Sequence, residues 1–300
     1  MPGDQGAILA LAGQAKHTST QYDFYAQQFG KNKPPLERFV EYFQAMLTFS
    51  FGKSFNNNQP VIDQMIGGGK LVNTLFLIGS STVLSIAIGI FLGVLASYKR
   101  KSAFDNFSVT AALTTFSLPT FWMGLTFIFL FALSLHWFPT GGVVPSVWYE
   151  TGFPSLPQQI LTRAQYLFLP TLTLTLFSYG GYLLLTRATM LETLSEDYIL
   201  TARAKGLSTR TILFRHAFKN ASLPIVTTSA LAFGSLLGGA IITETVFNYP
   251  GLGRWLFDSI GYRDFPVMQA MFYILALGVI IANFISDLVY GIIDPRIKYE

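Results

Sequence analysis

The sequence of 300 residues contains no cysteine, which excludes disulfide bonds, thiolate nucleophiles and metal sites built on cysteine. Charged residues are also scarce, at 12% of the chain, whereas a soluble domain usually carries about 25%. The formal net charge of +4 is too small to indicate nucleic-acid binding, and no basic stripe with interleaved aromatic residues occurs. Hydrophobic residues make up 51% of the chain, and this excess indicates a protein embedded in a bilayer.

The sequence also lacks a complete nucleotide-binding or catalytic motif. Gly67–Lys70 and Gly52–Ser54 resemble parts of a phosphate-binding P-loop, but Gln64 and Leu47 stand where each motif needs its first glycine. Zinc-peptidase motifs, paired carboxylates and a nucleophile elbow are absent as well. If ATP drives this protein, another subunit must bind it, and we expect neither a cofactor nor a metal in this chain.

Five stretches are long and apolar enough to cross a bilayer, which requires about 20 residues. We predict spans over residues 71–97, 109–135, 166–185, 224–243 and 268–290. None of them has lysine or arginine in its interior. Glycines at close helical spacing, such as Gly89 and Gly93, favour tight helix packing in lipid rather than a ligand site. The predicted fold class is an all-α integral membrane protein with five transmembrane helices.

The charges of the short loops predict the orientation of these spans. Lys99–Lys101 follow the first span at once, so this loop is expected to be cytoplasmic. The segment 187–223 carries six lysines and arginines and is expected to be cytoplasmic as well. Alternation then places the C-terminus inside, and it places outside the residues 1–70, 136–165 and 244–267.

Residues 1–70 form a predicted external N-terminal region ahead of a transmembrane domain over 71–300. Apolar residues recur in it every three to four positions, which predicts an amphipathic helix. These residues are Leu36, Phe39, Val40, Phe43, Met46 and Leu47. A region this long and basic is not expected to cross the membrane unaided. We therefore expect a further span ahead of Met1 that this sequence lacks, and the alternative is a five-span protein with a translocated tail.

The cytoplasmic segment 187–223 predicts two short helices at about a right angle. Ser195 with two following acids is typical of a helix start, and Gly206 is typical of a helix end. Ser208 can cap a second helix, which is expected to end before Pro224. A basic loop without a partner would explain the charge, but a knob that enters a partner's groove also explains the caps and the small residues. The small residues are Ala202, Ala204 and Gly206.

Tyr198–Leu207 and Arg215–Pro224 closely resemble the cytoplasmic coupling loop of ATP-binding-cassette importer permeases. The variant resembles the B-type subunit of the dipeptide, oligopeptide and nickel branch. The resemblance covers essentially all 300 residues, although the family generally has six spans where this sequence has five. Four more segments fit the same branch, namely Glu244–Arg254, Arg263–Pro266, Ser117–Trp122 and Asp294–Arg296.

The resemblance implies a permease subunit that imports its solute by alternating access, while separate ATPase subunits bind ATP and magnesium. It also implies that a coupling segment docks onto an ATPase. The expected docking residues are Glu196, Asp197, Tyr198, Thr201, Ala202, Arg203, Ala204, Lys205, Gly206 and Leu207. The expected partners are a second, non-identical permease, two ATPases, an external solute-binding protein and the lipid of the plasma or inner membrane, with no nucleic acid.

The transported solute is open at this point, because the branch carries dipeptides, oligopeptides, nickel chelates and some sugars. Peptide import is our leading expectation. An ion-coupled carrier would need inverted repeats or more buried charge. A membrane-embedded enzyme would need facing polar groups within the spans, where the sequence offers only Asn283 and Asp287.

Overall fold

The computed structural model describes residues 34–234 and 241–293, which are mainly helical and contain no β-strand. Predictions on residues 1–33, on the C-terminal tail from residue 294 and on part of the fourth span lie outside the described residues. The described chain falls into two units, the first ending at Phe51 and the second beginning at Gly52. The domain boundary near residue 70 stays a prediction.

The first unit contains helix α1 (Pro35–Leu47), which runs over the predicted amphipathic segment. Proline suits its first position, because the missing N–H would have no partner within the helix there. Leu36, Phe39 and Phe43 are exposed along it, as the spacing of three to four residues predicts for one side of a helix.

The second unit contains the remaining helices. In chain order they are α2 (Val61–Ile66), α3 (Lys70–Tyr98), α4 (Ala103–Ser117), α5 (Thr120–Phe127), α6 (Trp148–Thr151), α7 (Leu156–Leu194), α8 (Asp197–Ala204), α9 (Thr209–Thr211), α10 (Phe218–Gly234), α11 (Ile241–Val246), α12 (Leu252–Tyr262) and α13 (Phe265–Ile293). Two π-helical segments, Ile128–Ser134 and Ile212–Ala217, continue α5 and join α9 to α10.

Within the described ranges, two helical stretches are long and apolar enough to cross a bilayer, namely Val61–Tyr98 and α7. A third is present if α4 and the helix over Thr120–Ser134 count as one bent span. Phe265–Ile281 forms a shorter apolar helix. Helices thus cover the predicted first, third and fifth spans and the described part of the fourth, in which α10 is described as far as Gly234.

The predicted second span, over residues 109–135, is not one continuous helix in the structure. Helix α4 ends at Ser117, α5 begins at Thr120, and the two parts enclose a bend of 99°. Leu118 is extended, with a ψ of 133°, because the ring of Pro119 disfavours helical geometry in the residue before it. The proline therefore breaks this apolar stretch into two elements.

Helix α3 packs closely along α7 through its glycines. A Cβ on Gly89 would lie 2.4 Å from the Cβ of Tyr182, and one on Gly93 would lie 2.6 Å from the Cβ of Thr186. Real Cβ atoms do not approach this closely, so both positions require glycine at this helix separation. The predicted packing role of Gly89 and Gly93 is confirmed.

An ion pair joins α4 to α7. The Arg187 guanidinium donates to both carboxylate oxygens of Asp105, at 2.6 and 2.8 Å. The backbone N–H of Lys101 donates to the same carboxylate at 2.9 Å. From the sequence, Arg187 is predicted only as one of the basic residues that keep segment 187–223 cytoplasmic, and its pair with Asp105 is not predicted. The spacing from Ser102 to Asp105 indicates only the start of α4, where the Ser102 hydroxyl accepts from the Asp105 N–H.

Candidate functional site

The predicted docking segment begins where α7 ends. Helix α7 runs to Leu194, and α8 begins after Glu196, which holds its N-cap position in an extended conformation. The predicted role of Ser195 as the cap of α8 is wrong. Its hydroxyl donates to the Glu192 carbonyl at 2.6 Å, so Ser195 closes α7 instead.

The predicted helix stop at Gly206 and the predicted helix cap at Ser208 are confirmed. Gly206 follows α8 in the left-handed region, at a φ of 71°, where glycine is favoured. The Ser208 hydroxyl caps the next helix by accepting from the Thr211 N–H at 3.3 Å. The predicted helix end before Pro224 is wrong, because α10 continues through this proline to Gly234. A proline inside a membrane helix is tolerated where neighbouring groups satisfy the freed carbonyl.

The inner face of α8 packs into the body of the protein. Ile199 and Ala202 are buried, at 1% and 5% exposure. They belong to an apolar cluster that also contains Val94 of α3, Met190 of α7 and Leu213. The small side chain of Ala202 therefore serves packing within the chain and does not lie on the exposed face. The cluster fixes α8 against the C-terminal turns of α3 and α7.

The outer face of α8 is exposed. Asp197, Leu200, Thr201 and Ala204 share the side opposite the buried residues, because about 3.6 residues make one turn. Leu200 is 68% exposed and adds an apolar side chain to this face. A Cβ on Gly206 would meet no atom within 4 Å, so the space beyond the end of α8 is open.

The remaining predicted docking residues lie around this face. Glu196, Arg203, Lys205 and Leu207 are exposed. Tyr198 is tied to the chain, because its hydroxyl accepts a hydrogen bond from the Asn220 side chain at 2.8 Å. The structure thus brings nine of the ten predicted residues to the surface and buries only Ala202.

A second cluster of polar residues lies at the opposite end of α3, on the side predicted to be external. Glu244 is fully buried, and its carboxylate accepts from the Thr74 hydroxyl at 2.7 Å and from the Arg254 N–H at 2.8 Å. Burial raises the pKa of Glu244, and the hydrogen bonds from Thr74, Arg254 and Gly253 oppose this shift only in part. The motif over Glu244–Arg254 was noted in the sequence, but the pairing with Thr74 was not predicted.

A second buried carboxylate lies at the far end of α12. Asp264 is 2% exposed, and it accepts hydrogen bonds from the Ser54 hydroxyl and, at 3.1 Å, from the Phe55 N–H. It therefore ties the start of α13 to the loop before α2. In the sequence, Arg263–Pro266 carries part of the family resemblance, but no partner of Asp264 is predicted.

Comparison with known proteins identifies the family. The model of the binding-protein-dependent transport system inner membrane component matches residues 85–299. The chain belongs to this family. It is 36% identical to the dipeptide transport system permease protein DppB of Escherichia coli K12, over 100% of this chain and 91% of that protein. It is 35% identical to the oligopeptide transport system permease protein AppB of Bacillus subtilis, over 99% of this chain and 90% of that protein.

A solved structure shows the same fold. A chain of the MetNI methionine ABC transporter, in an inward-facing conformation, matches with a TM-score of 0.57 at 17% identity. The match covers 75% of this chain and 94% of that chain. The importer permease fold inferred from the resemblance is confirmed. The protein is an inner-membrane permease subunit of a binding-protein-dependent transporter, and it acts in translocation rather than as an enzyme.

Proposed function

We propose that this permease imports peptides and that the outer face of α8 docks onto an ATPase subunit. In this proposal ATP and magnesium are bound by two ATPases, and a second, non-identical permease completes the pathway. An external solute-binding protein delivers the peptide. Docking of α8 is supported by one observation above all, namely that α8 is held rigidly by its inner face while its outer face stays exposed.

The peptide assignment rests on the relatives. DppB of Escherichia coli is a dipeptide permease by name, a di/tripeptide permease of Pseudomonas aeruginosa is 34% identical, and AppB is an oligopeptide permease. Nickel chelates and oligosaccharides are the alternatives within the same branch. Uptake of a labelled dipeptide by the reconstituted transporter, in competition with a nickel chelate or an oligosaccharide, tests this assignment.

The sidedness is also part of the proposal. Segment 187–223 and the C-terminus are placed in the cytoplasm, while residues 1–70, 136–165 and 244–267 are placed outside. The ATPase is cytoplasmic, so the exposed face of α8 has to lie on that side. The excess of basic residues in 187–223 supports this placement.

The substitution Ala204→Glu tests docking. Gly206→Glu would strain the left-handed backbone at this glycine, whereas Ala204 is exposed on a regular helix. A bulky charge on the outer face of α8 should prevent close approach of the ATPase. We expect normal membrane insertion and a loss of ATPase association or of substrate-stimulated ATP hydrolysis by about fivefold or more, since a misfit interface costs about 1 kcal/mol or more.

Ala188→Glu is the matched control. Ala188 is an exposed alanine in α7, away from the outer face of α8. This variant should assemble and hydrolyse ATP like the wild type. Wild-type coupled transport by the Ala204→Glu protein would refute the docking role.

A further inference from the structure

Helix α12 is attached to α3 at its first turn. The Thr74 hydroxyl accepts from the Leu252 N–H at 2.8 Å and donates its own hydrogen to Glu244 at 2.7 Å. The Asn73 side chain donates to the Pro250 carbonyl at 2.9 Å. The Thr74 hydroxyl of α3 therefore bonds both the Leu252 N–H at the start of α12 and the carboxylate of Glu244.

The Glu244 carboxylate lies between α3 and the start of α12 with little free space around it. It caps α12, since it accepts from the Arg254 N–H near the helix start. A Cβ on Gly251 would lie 2.4 Å from the carboxyl carbon. The backbone of Gly251 is extended and open to any residue, at a φ of −104° and a ψ of −174°. The carboxylate, and not the backbone conformation, therefore requires glycine at this position.

The attachment is repeated at the other end of α12. Asp264 follows that helix and holds Ser54 and Phe55 in the loop that leads through α2 into α3. In addition, the ammonium of Lys70 lies 4.9 Å from the centre of the Trp255 ring. The first turn of α12 is thus fastened to the start of α3, and its far end to the loop before α2. With both ends attached, α12 is expected to move with this part of the chain.

Helix α12 has one buried side and one exposed side. Leu252, Leu256 and Ser259 are buried on one side, whereas Phe257 and Ile260 are more than half exposed on the other. If α12 is external, as the proposed function requires, this exposed side is available to a protein that arrives from outside. Helix α3 then leads across the membrane, in close contact with α7, to the apolar cluster beneath α8.

We propose that Glu244 and Thr74 form a joint that transmits docking of the solute-binding protein from α12 into α3. Both are positioning residues, because neither has to touch the solute or the binding protein. This proposal rests on the proposed function as a binding-protein-dependent importer. It assigns to one buried carboxylate–hydroxyl pair the mechanical connection between the external face and the transmembrane helices.

The test uses the complete transporter in lipid nanodiscs, with the solute-binding protein of the same operon loaded with alanylalanine. ATP hydrolysis is measured over a range of binding-protein concentrations for wild type, Thr74→Val and Glu244→Gln. We expect basal hydrolysis and half-saturating concentration to stay near wild type, while the maximal stimulated rate falls about fivefold, the effect of losing a buried hydrogen bond. The double variant should be no worse than the more affected single variant.

Two further variants serve as controls. Thr74→Ser keeps the hydroxyl and should retain stimulation. Thr173→Val removes another fully buried threonine hydroxyl, which is bonded only to the Leu169 carbonyl of its own helix, and it should be stimulated like the wild type. A purely structural defect of the docking surface would instead raise the half-saturating concentration.

The proposal is overturned if Thr74→Val is stimulated normally, if only the half-saturating concentration changes, or if Thr74→Val and Glu244→Gln both fail to assemble. Failure of the proposed function is a distinct result. In that case the wild type itself would show no stimulation by the binding protein, whatever the variants do.

Discussion

At the scale of single residues, the glycines of α3 differ sharply in what surrounds them. Gly89 faces the Tyr182 side chain and the Tyr179 carbonyl, at 2.4 and 2.8 Å from a built Cβ. Gly79 lies ten residues earlier on the same helix, and a Cβ there would meet nothing within 4 Å. Substituting alanine at each of the two positions therefore separates the effect of helix packing on stability from the effect of helix propensity.

We expect Gly89→Ala to destabilise the protein by about 1–3 kcal/mol, because the added methyl group must push α3 away from α7. Gly79→Ala should leave stability unchanged or raise it by up to about 1 kcal/mol, since alanine favours the helix. Thermal unfolding of both variants in detergent checks this. Equal melting temperatures would show that α3 and α7 do not approach as closely as described.

Among the local signals, two residue-level predictions succeeded and the one for Ser195 failed. Gly206 as a helix stop and Ser208 as a cap depend only on neighbouring backbone groups, and both were predicted from the sequence. The partners Asp105–Arg187 and Thr74–Glu244 lie 82 and 170 positions apart. One sequence does not reveal such pairs, because nothing in the local pattern specifies what the folded chain brings opposite them.

At the scale of elements, the three prolines near predicted span starts had different outcomes. Pro119 separates α4 from α5 by a sharp bend, whereas Pro170 and Pro224 lie inside the continuous helices α7 and α10. The apolar pattern identified all three regions as membrane segments. It could not distinguish a break from a tolerated proline, because that outcome depends on which neighbours satisfy the freed backbone groups.

The ion pair between α4 and α7 allows an element-level prediction. Asp105→Ala should destabilise the protein by about 2–3 kcal/mol, below the 3–5 kcal/mol of a fully buried pair, because the Arg187 side chain is 27% exposed. Arg187→Ala should cost at least as much, because it leaves the buried Asp105 carboxylate without its cation. The double variant should be less destabilised than the sum of the two, by about 1–2 kcal/mol.

Asp258→Ala provides the control for this cycle. Asp258 lies 3.7 Å from Arg254 within α12, and its own side chain is 44% exposed, whereas that of Asp105 is 2% exposed. Loss of such a surface pair should cost about 1 kcal/mol or less. Additive effects of Asp105→Ala and Arg187→Ala in denaturation experiments would argue against a direct pair between α4 and α7.

At the scale of the whole molecule, the two candidate sites lie at opposite ends of the same helix. The start of α3 carries Thr74 and the joint to α12, and its last turns carry Val94 in the cluster that supports α8. Helix α7 packs along α3 and continues into the docking segment. A movement of α3 relative to α7 would therefore reach both faces of the membrane without any flexible connection between them.

The absence of cysteine allows a direct test of this arrangement across the membrane. Thr201→Cys places a thiol on the exposed face of α8, and Tyr149→Cys places one on α6, where the side chain is 69% exposed. In intact cells, a membrane-impermeant maleimide should label Tyr149→Cys but not Thr201→Cys, because charge in segment 187–223 predicts that α8 is cytoplasmic. Permeabilised cells that express the permease without its ATPase subunits should show labelling of both variants, because a docked ATPase would cover residue 201, and the cysteine-free wild type controls for background. Labelling of Thr201→Cys in intact cells would reverse the orientation, and with it both the ATPase docking face and the external position of α12.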